Sequence, residues 1–224
     1  MLAPMMSDHP IDLQRYFGGI DIYLFDQLLR GRIRPGMRVL DAGCGSGRNL
    51  VYFFRAGYEV FAADADPGAV HEVRGLARSL APDLPGTNFR HEPLERLTFP
   101  EAFADVVISS AVLHFAAGDV EFDEMLRGTW RAVREGGMLF CRLASSIGIE
   151  GDVKVINGRR CRLPDGSDRY LVDEGLLMSL TRELGGELLD PIKTTVVQGQ
   201  RSMTTWVVRK AGVRPRPDPA LVRV

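Results

Sequence analysis

Apolar runs of strand length alternate with segments of helical periodicity through the middle of the chain. The apolar runs are followed by segments whose apolar residues recur every three to four positions, which is typical of strands alternating with amphipathic helices. The predicted strands are 39–40, 59–63, 87–92, 103–110 and 138–143, and the predicted helices are 49–56, 69–80 and 122–133. This βαβαβ alternation predicts an α/β fold, with a parallel sheet covered by helices on both faces.

The segment before the first strand has its own amphipathic pattern. Residues 11–30 carry apolar side chains at helical spacing, so we expect an N-terminal helical cap over residues 1–35, packed beside the first loop. Farther along, residues 152–163 read as two short strands joined by Asn157-Gly158. Because this dipeptide favours the turn that matches strand twist, it predicts a β-hairpin.

The last third of the chain returns to helix and then strand. A helix is predicted at 173–184, and two strands, predicted to be antiparallel, at 187–192 and 204–209. Residues 1–10 are expected to be mobile, and the proline-containing segment 211–224 is predicted to be a disordered tail.

Composition and charge exclude several classes of protein. A chain of 224 residues favours one sizeable domain with terminal extensions, and a hydrophobic fraction of 45% is ordinary for a globular fold. The formal net charge of −1 provides no overall field that would attract nucleic acid or an anionic membrane, so we expect neither as a partner. The pattern predicts no membrane span and no signal peptide, which favours a cytoplasmic location.

The three cysteines also favour a cytoplasmic location. Cys44, Cys141 and Cys161 are odd in number and lack C-x-x-C spacing, which argues against a disulfide framework and against a zinc site. We therefore expect a reducing compartment and no metal site. The sequence leaves the oligomeric state open between a monomer and a homodimer.

The most informative stretch is Asp41-Ala42-Gly43-Cys44-Gly45-Ser46-Gly47-Arg48-Asn49, directly after the first apolar run. Its glycines let the backbone bend sharply and approach a ligand, and the helix that follows directs free N–H groups to the same place. A dinucleotide-binding loop has glycine at the sixth position, where this chain has Arg48. The acid before the loop, Asp41, would repel a pyrophosphate but suits a cationic ligand.

The pattern D-x-G-x-G-x-G, from Asp41 to Gly47, resembles the first motif of class I S-adenosylmethionine-dependent methyltransferases. The resemblance covers roughly residues 36–210. It implies a doubly wound, Rossmann-like, mostly parallel seven-stranded sheet whose last strand is antiparallel, with the hairpin at 152–163 as an insertion. It also implies that S-adenosylmethionine is the cofactor, and that Asp41 and the loop backbone hold its methionine end.

Further cofactor contacts are expected at the ends of the next strands. Asp64 lies about twenty residues beyond the loop, where an acid can accept both ribose hydroxyls. The resemblance places an acid near the adenine amino group, for which Glu92 is the best match, although Pro93 departs from the small residue usual after that acid. The predicted cofactor-binding residues are Asp41, Ala42, Gly43, Cys44, Gly45, Gly47, Arg48, Asn49, Asp64, Ala65, Glu92, Pro93, Leu94, Ser110 and Ala111.

Methyl transfer from a sulfonium requires positioning and exclusion of water more than a catalytic triad. His114, just past the fourth strand, is a candidate general base for a weakly nucleophilic acceptor; alternatively, it packs on Phe115 and orients the loop. Tyr16 either closes over the ligand or packs in the core. Arg159 and Arg160 either recognise an anionic substrate or lie on a solvated strand face.

Three functions follow from these features. The first is transfer of the methyl group of S-adenosylmethionine to a small-molecule acceptor by in-line displacement. The second is a sensor or partner protein that binds S-adenosylmethionine without turnover, because the same pocket would serve it. The third, an NAD-dependent oxidoreductase, is disfavoured by Asp41 before the loop and by Arg48 in place of the third glycine.

Overall fold

The computed structural model describes residues 12–212. Its helices are α1 Leu13–Phe17, α2 Ile22–Leu29, α3 Val51–Arg55, α4 Pro67–Leu80, α5 Asp119–Ala132 and α6 Glu174–Glu183. Its strands are β1 Arg38–Ala42, β2 Glu59–Asp64, β3 Phe89–His91, β4 Ala104–Ser110, β5 Val133–Ala144, β6 Lys154–Asn157, β7 Arg160–Arg162, β8 Asp168–Tyr170, β9 Gly186–Leu188, β10 Lys193–Val197 and β11 Arg201–Lys210. The segment predicted to be mobile, 1–10, and residues 213–224 of the predicted tail lie outside the described residues.

A large mixed sheet organises the molecule, with the strand order β10-β11-β5-β4-β1-β2-β3. The five neighbouring strands β3, β2, β1, β4 and β5 pair in parallel. In contrast, β11 pairs antiparallel with β5 on one side and with β10 on the other. This arrangement confirms the predicted fold class, a mostly parallel sheet with an antiparallel last strand.

The sheet has eight strands instead of the predicted seven, because its last edge is interrupted. Both β9 and β10 pair with β11, one after the other along the chain. Between them lies Asp190-Pro191, and the proline has no N–H with which to continue the ladder. The carboxylate of Asp190 accepts hydrogen bonds from Gln27 (3.0 Å) and Arg32 (2.7 Å). The prediction of one strand over 187–192 is therefore wrong in its bounds.

Side chains alternate between two apolar layers, one on each face of the sheet. Successive residues of the central strands, such as Val39 and Leu40 or Val106 and Val107, belong to different layers. One layer packs against α5 and α6, and the other against α2, α3 and α4. Because both faces are covered, the central strands are mainly apolar on both sides, as is usual for parallel strands.

The two N-terminal helices are joined to the sheet beside the glycine loop. Asp21 caps α2 by accepting a hydrogen bond from the Tyr23 N–H (2.9 Å). Its other carboxylate oxygen accepts from Arg142 on β5 at 2.9 Å, and its own N–H donates to Asn49 at 3.0 Å. These contacts hold the start of α2 against the loop that follows β1.

Residues after β5 form a smaller antiparallel sheet of β6, β7 and β8. The turn at Asn157-Gly158 joins β6 to β7, and β8 adds a third strand that the sequence analysis did not predict. Within residues 12–212, no helix has the length and apolar character that crossing a membrane requires.

Candidate functional site

The loop after β1 turns sharply where β1 and β2 end side by side. The N–H groups of Gly43 and Cys44 both donate to the carbonyl of Ala63, at 2.8 and 3.1 Å. Gly43 has a φ of +83°, and a Cβ there would lie 2.4 Å from Cγ2 of Val112. Glycine is therefore required at this position for two reasons, the backbone conformation and the close approach of the segment after β4.

Asp64, at the end of β2, connects the loop to the next helix. One of its carboxylate oxygens accepts from the Gly45 N–H at 2.8 Å, and the other accepts from the Asp66 N–H at 2.9 Å. A carboxylate oxygen has two lone pairs, so both oxygens retain capacity to accept another hydrogen bond. Asp64 thus shapes the loop and remains able to bind a hydroxyl-bearing ligand.

Asp41 is the most unusual group of the site. It is only 1% exposed, and within the described part of the chain neither carboxylate oxygen has a hydrogen-bond partner. Burial raises the pKa of Asp41 to about 7; Arg48 opposes this shift and Asp64 adds to it. A buried carboxyl without partners is costly, so its surroundings fit a ligand that brings a positive charge or donor groups.

A cavity of about 530 Å³ opens above the loop, in the size range of ligand pockets. It is lined by Gly43, Cys44, Gly45, Ser46, Arg48, Asn49, Asp64, Ala65, Pro93, Leu94, Glu95, Ser110, Ala111, Val112, Phe115, Glu121 and Met125. The elements that contribute these residues end or begin at the carboxyl edge of the parallel strands, where open α/β sheets bind ligands.

Most of the predicted cofactor residues lie on this cavity wall, but four do not. Asp41 and Ala42 lie within β1 and are buried, directly before Gly43, which does line the cavity. Gly47 faces α4, since a Cβ there would lie 2.9 Å from a methyl of Val73. Glu92 is turned away: its carboxylate accepts from the Thr98 N–H (2.8 Å) and the Thr98 hydroxyl (2.5 Å).

The geometry therefore corrects the prediction for Glu92. The wall near that strand end is formed instead by the turn Pro93 to Glu95. The sequence analysis also missed Ser46, Glu95, Val112, Phe115, Glu121 and Met125. Glu121 and Met125 lie on α5 and reach the cavity through tertiary packing, for which the sequence has no local signal.

Arg48 and Asn49 link the loop to neighbouring elements. The guanidinium of Arg48 donates to the carbonyl of Gly19 and to the hydroxyl of Ser110, both at 3.2 Å.

Burial raises the pKa of the Cys44 thiol, and the charges of Asp41 and Asp64 act in the same direction. The thiol is therefore protonated, which disfavours a nucleophilic role for Cys44.

His114 is buried, 4% exposed, and does not line this cavity. Its Nδ1 accepts a hydrogen bond from the Ala144 N–H at 3.1 Å, so the ring proton must be on Nε2. Burial lowers the pKa of His114 to about 4, and the charge of Arg169 acts in the same direction. With its lone pair occupied and its basicity reduced, His114 is poorly suited to the predicted role of general base.

The predicted substrate residues other than His114 also lie away from the cavity wall. Tyr16 packs edge-on against Tyr52, with its ring centroid 5.8 Å away. Arg159 forms an ion pair with Asp173 at 2.7 Å, and Arg160 donates to the carbonyl of Ala116 at 3.0 Å. The structure gives all three side chains packing or hydrogen-bonding roles within the fold.

Comparisons with known proteins agree with this geometry. Residues 40–141 match the model of the methyltransferase domain family. The matched range begins in β1 and ends in β5, so it includes the glycine loop, Asp64 and the end of β4.

Curated relatives match about half of the chain. The chain is 33% identical to the ubiquinone biosynthesis O-methyltransferase of Ruegeria pomeroyi over 119 residues. This match covers 52% of this chain and 45% of that protein. The chain is 31% identical over 106 residues to an uncharacterized methyltransferase of Synechocystis, 47% of this chain and 46% of that protein. It is 28% identical to the ribosomal RNA small subunit methyltransferase H of Bartonella quintana over 118 residues, 53% of this chain and 33% of that protein. The chain thus spans about half the length, or less, of these relatives.

Solved structures share the fold over most of the chain. The 1,6-didemethyltoxoflavin-N1-methyltransferase of Burkholderia thailandensis, with S-adenosylhomocysteine bound, superposes with a TM-score of 0.65, 20% identity, and coverage of 90% of this chain and 82% of that one. The cyclase SpnF superposes with the same TM-score and identity, over 84% of this chain and 81% of that one. The sequence motif, the fold and the match over residues 40–141 all indicate a methyltransferase domain.

Proposed function

We propose that this protein transfers the methyl group of S-adenosylmethionine to a small-molecule acceptor by in-line displacement. The observation that supports the proposal most is the buried carboxylate of Asp41, which has no partner among the described residues and lies beside the glycine loop. A cationic cofactor supplies the positive charge that this carboxylate lacks, whereas a pyrophosphate would be repelled by it.

The other walls of the cavity fit the remaining parts of the same cofactor. Asp64 has acceptor capacity for ribose hydroxyls while it holds the Gly45 N–H. Leu94 and Met125 provide apolar surface for a purine ring, and a methionine thioether packs well against aromatic rings. These side chains replace Glu92 on the adenine side of the proposal.

When bound, S-adenosylmethionine supplies an electrophilic methyl group. The residues of this chain then orient the acceptor and exclude water, which is the main contribution a protein makes to such a displacement. Ser110 and Ala111, at the end of β4, form the wall next to which we place the acceptor. Because His114 keeps its lone pair on the Ala144 N–H, the proposal assigns it no proton transfer.

A small acceptor is favoured by the net charge and by two of the similar proteins. The formal net charge of −1 offers little attraction to a nucleic acid. The names of the similar proteins refer to ubiquinone biosynthesis and to didemethyltoxoflavin, both small-molecule chemistry, although a third names ribosomal RNA. Salt-dependent binding of an RNA duplex or hairpin would count against this part of the proposal.

Calorimetry on a matched pair of variants tests the cofactor site. Asp64→Asn retains one acceptor oxygen but places an amide against one of two backbone N–H donors, so affinity for S-adenosylmethionine should fall about tenfold or more. Asp66→Ala removes the neighbouring helix cap, made to the Gly68 N–H at 2.8 Å, but no cavity-lining group. It should cost about 1 kcal/mol of stability and leave cofactor affinity unchanged. Unchanged affinity in Asp64→Asn would refute the assignment.

A turnover assay distinguishes a methyltransferase from a sensor that binds S-adenosylmethionine without reacting. The likeness to a protein named as a cyclase shows that this fold also occurs outside proteins named as methyltransferases, so binding alone does not establish methyl transfer. Formation of S-adenosylhomocysteine should be detected with at least one acceptor in a broad panel. Binding of S-adenosylmethionine without product across the panel would favour a sensor, and stabilisation by NAD instead would favour an oxidoreductase.

A further inference from the structure

A second cavity, of about 300 Å³, adjoins the cavity above the glycine loop, which we call the cofactor cavity. Ala111 lines both cavities, so they meet at this residue. Its backbone has a φ of +66°, an uncommon conformation for alanine, and its N–H donates to the carbonyl of Arg142 at 2.7 Å. Strained residues of this kind persist where the surrounding structure holds them, and they occur often at ligand sites.

Arginine side chains dominate the charge of this second cavity. Arg142, Arg169 and Arg201 line it, together with one carboxylate, Asp165. One oxygen of Asp165 is occupied by the N–H and the hydroxyl of Ser167, at 2.9 and 2.6 Å. The cavity wall therefore has more positive than negative charge.

The three guanidinium groups are not neutralised equally. Arg142 pairs with the buried Asp21 at 2.9 Å, but its Nε is buried without a hydrogen-bond partner among residues 12–212. Arg169 donates to the carbonyl of Asp168 and lies 4.7 Å from the centroid of the Phe115 ring. Within the part of the chain that the structure describes, neither Arg169 nor Arg201 forms an ion pair within 4.0 Å.

His114 contributes a neutral donor to the same cavity. It lines the cavity, and its Nδ1 is occupied by the Ala144 N–H, which leaves an N–H at Nε2. Leu163, Val197 and Met203 add apolar surface to the wall. A pocket with apolar walls, a neutral N–H donor and unpaired guanidinium groups suits a small, partly apolar anion.

We propose that this second cavity is the acceptor subsite, and that it selects acceptors bearing a carboxylate through Arg169 and Arg201. This inference rests on the proposed function, because Ala111 places the cavity next to the position of the transferred methyl group. The guanidinium groups bind the carboxylate, the apolar wall holds the body of the acceptor, and the methyl-accepting atom faces the cofactor cavity past Ala111. The anion therefore sets orientation as well as affinity.

Paired ligands that differ only in charge test the subsite. We suggest benzoate with benzamide, and 4-hydroxybenzoate with 4-hydroxybenzamide, titrated by ligand-observed NMR into the full chain with S-adenosylhomocysteine present. Each carboxylate should bind about tenfold more tightly than its amide. In the double variant Arg169→Gln/Arg201→Gln this preference should disappear, while the affinity for S-adenosylhomocysteine stays unchanged.

A charge-matched control separates the subsite from general electrostatics. Arg78→Gln/Arg127→Gln removes two positive charges from exposed positions on α4 and α5, and the carboxylate preference should survive it. Equal binding of carboxylates and amides, a preference that persists in Arg169→Gln/Arg201→Gln, or no binding of any carboxylate would overturn the subsite. Normal S-adenosylhomocysteine affinity alongside such a result would leave the proposed methyl transfer standing, so the two failures are distinguishable.

Discussion

Replacing Asp41 by asparagine should make the ligand-free protein more stable at alkaline pH while it weakens cofactor binding. Asp41→Asn preserves the size of the side chain and removes the charge. In the folded protein burial raises the pKa of Asp41 from 3.8 to about 7, so ionising the group there is unfavourable. Because a tenfold change in an ionisation constant corresponds to about 1.4 kcal/mol, the ionised form is costly by about 4 kcal/mol at most.

The sign of the pH dependence follows from this raised pKa. Because the folded pKa lies above the unfolded one, the native state binds more protons between pH 3.8 and about 7, and stability is lost as the pH rises through that window. Between pH 5 and pH 8 the wild type should therefore lose about 2–3 kcal/mol relative to Asp41→Asn. Because each protein is compared with itself at two pH values, the packing of the new amide cancels.

Urea denaturation at the two pH values measures the stability difference, and calorimetry with S-adenosylmethionine measures the affinity. The variant should bind at least about tenfold more weakly, because a charged partner of the cofactor has been removed. Asp66→Asn is the control, since asparagine still caps α4 and Asp66 does not line the cavity. The reasoning would be refuted by an Asp41→Asn protein that shows wild-type affinity and the same pH dependence as the wild type.

Three further predictions concern the same region. Gly43→Ala should lower the free energy of unfolding by more than about 2 kcal/mol, because its Cβ would lie 2.4 Å from Val112 Cγ2. Gly45→Ala, whose Cβ would have no atom within 4 Å, should lower it by about 1 kcal/mol, as measured by urea denaturation. His114→Asn keeps an acceptor and removes the titrating ring. Since the pKa of His114 is lowered from 6.5 to about 4, the wild type should lose about 3 kcal/mol more folding stability than this variant as the pH falls through that window. Urea denaturation at both ends of the window measures the loss. Binding of S-adenosylmethionine near pH 7 should release about half a proton from Asp41, seen as a dependence of the binding enthalpy on the buffer.

Each of these predictions has a contradicting outcome. Equal destabilisation by Gly43→Ala and Gly45→Ala would show that the contact with Val112 does not limit the loop. Parallel pH profiles for the wild type and His114→Asn would mean that the histidine is not held neutral. A binding enthalpy that is independent of the buffer would show that Asp41 does not change its protonation on binding.

Features encoded by neighbouring residues were predictable from the sequence. The alternation of strands and helices follows from local apolar periodicity, and the loop from the spacing of Gly43, Gly45 and Gly47. The position of Asp64 follows from the length of one helix and one strand. These signals depend on chain geometry over short distances, so no tertiary information was needed.

Features that depend on distant contacts were not predictable. No local pattern predicts the hydrogen bond that occupies the lone pair of His114 Nδ1, because its donor, the Ala144 N–H, lies on β5, thirty residues later. Glu92 was assigned to the adenine side from the family resemblance alone, which does not contain the nearby hydrogen bonds from Thr98 to its carboxylate. The edge strand was predicted as continuous, and the effect of Pro191 on pairing with β11 became clear only in the sheet.

A crystal structure of the protein grown with S-adenosylhomocysteine tests the cofactor site directly. The ribose hydroxyls should lie within hydrogen-bond distance of the Asp64 carboxylate, and the homocysteine end should lie over the glycine loop, with its ammonium group on the side of Asp41. The adenine should lie against Leu94 and Met125, with Glu92 still bound to Thr98. Density for the ligand at any other place, or a homocysteine end directed away from Asp41, would contradict the proposed function.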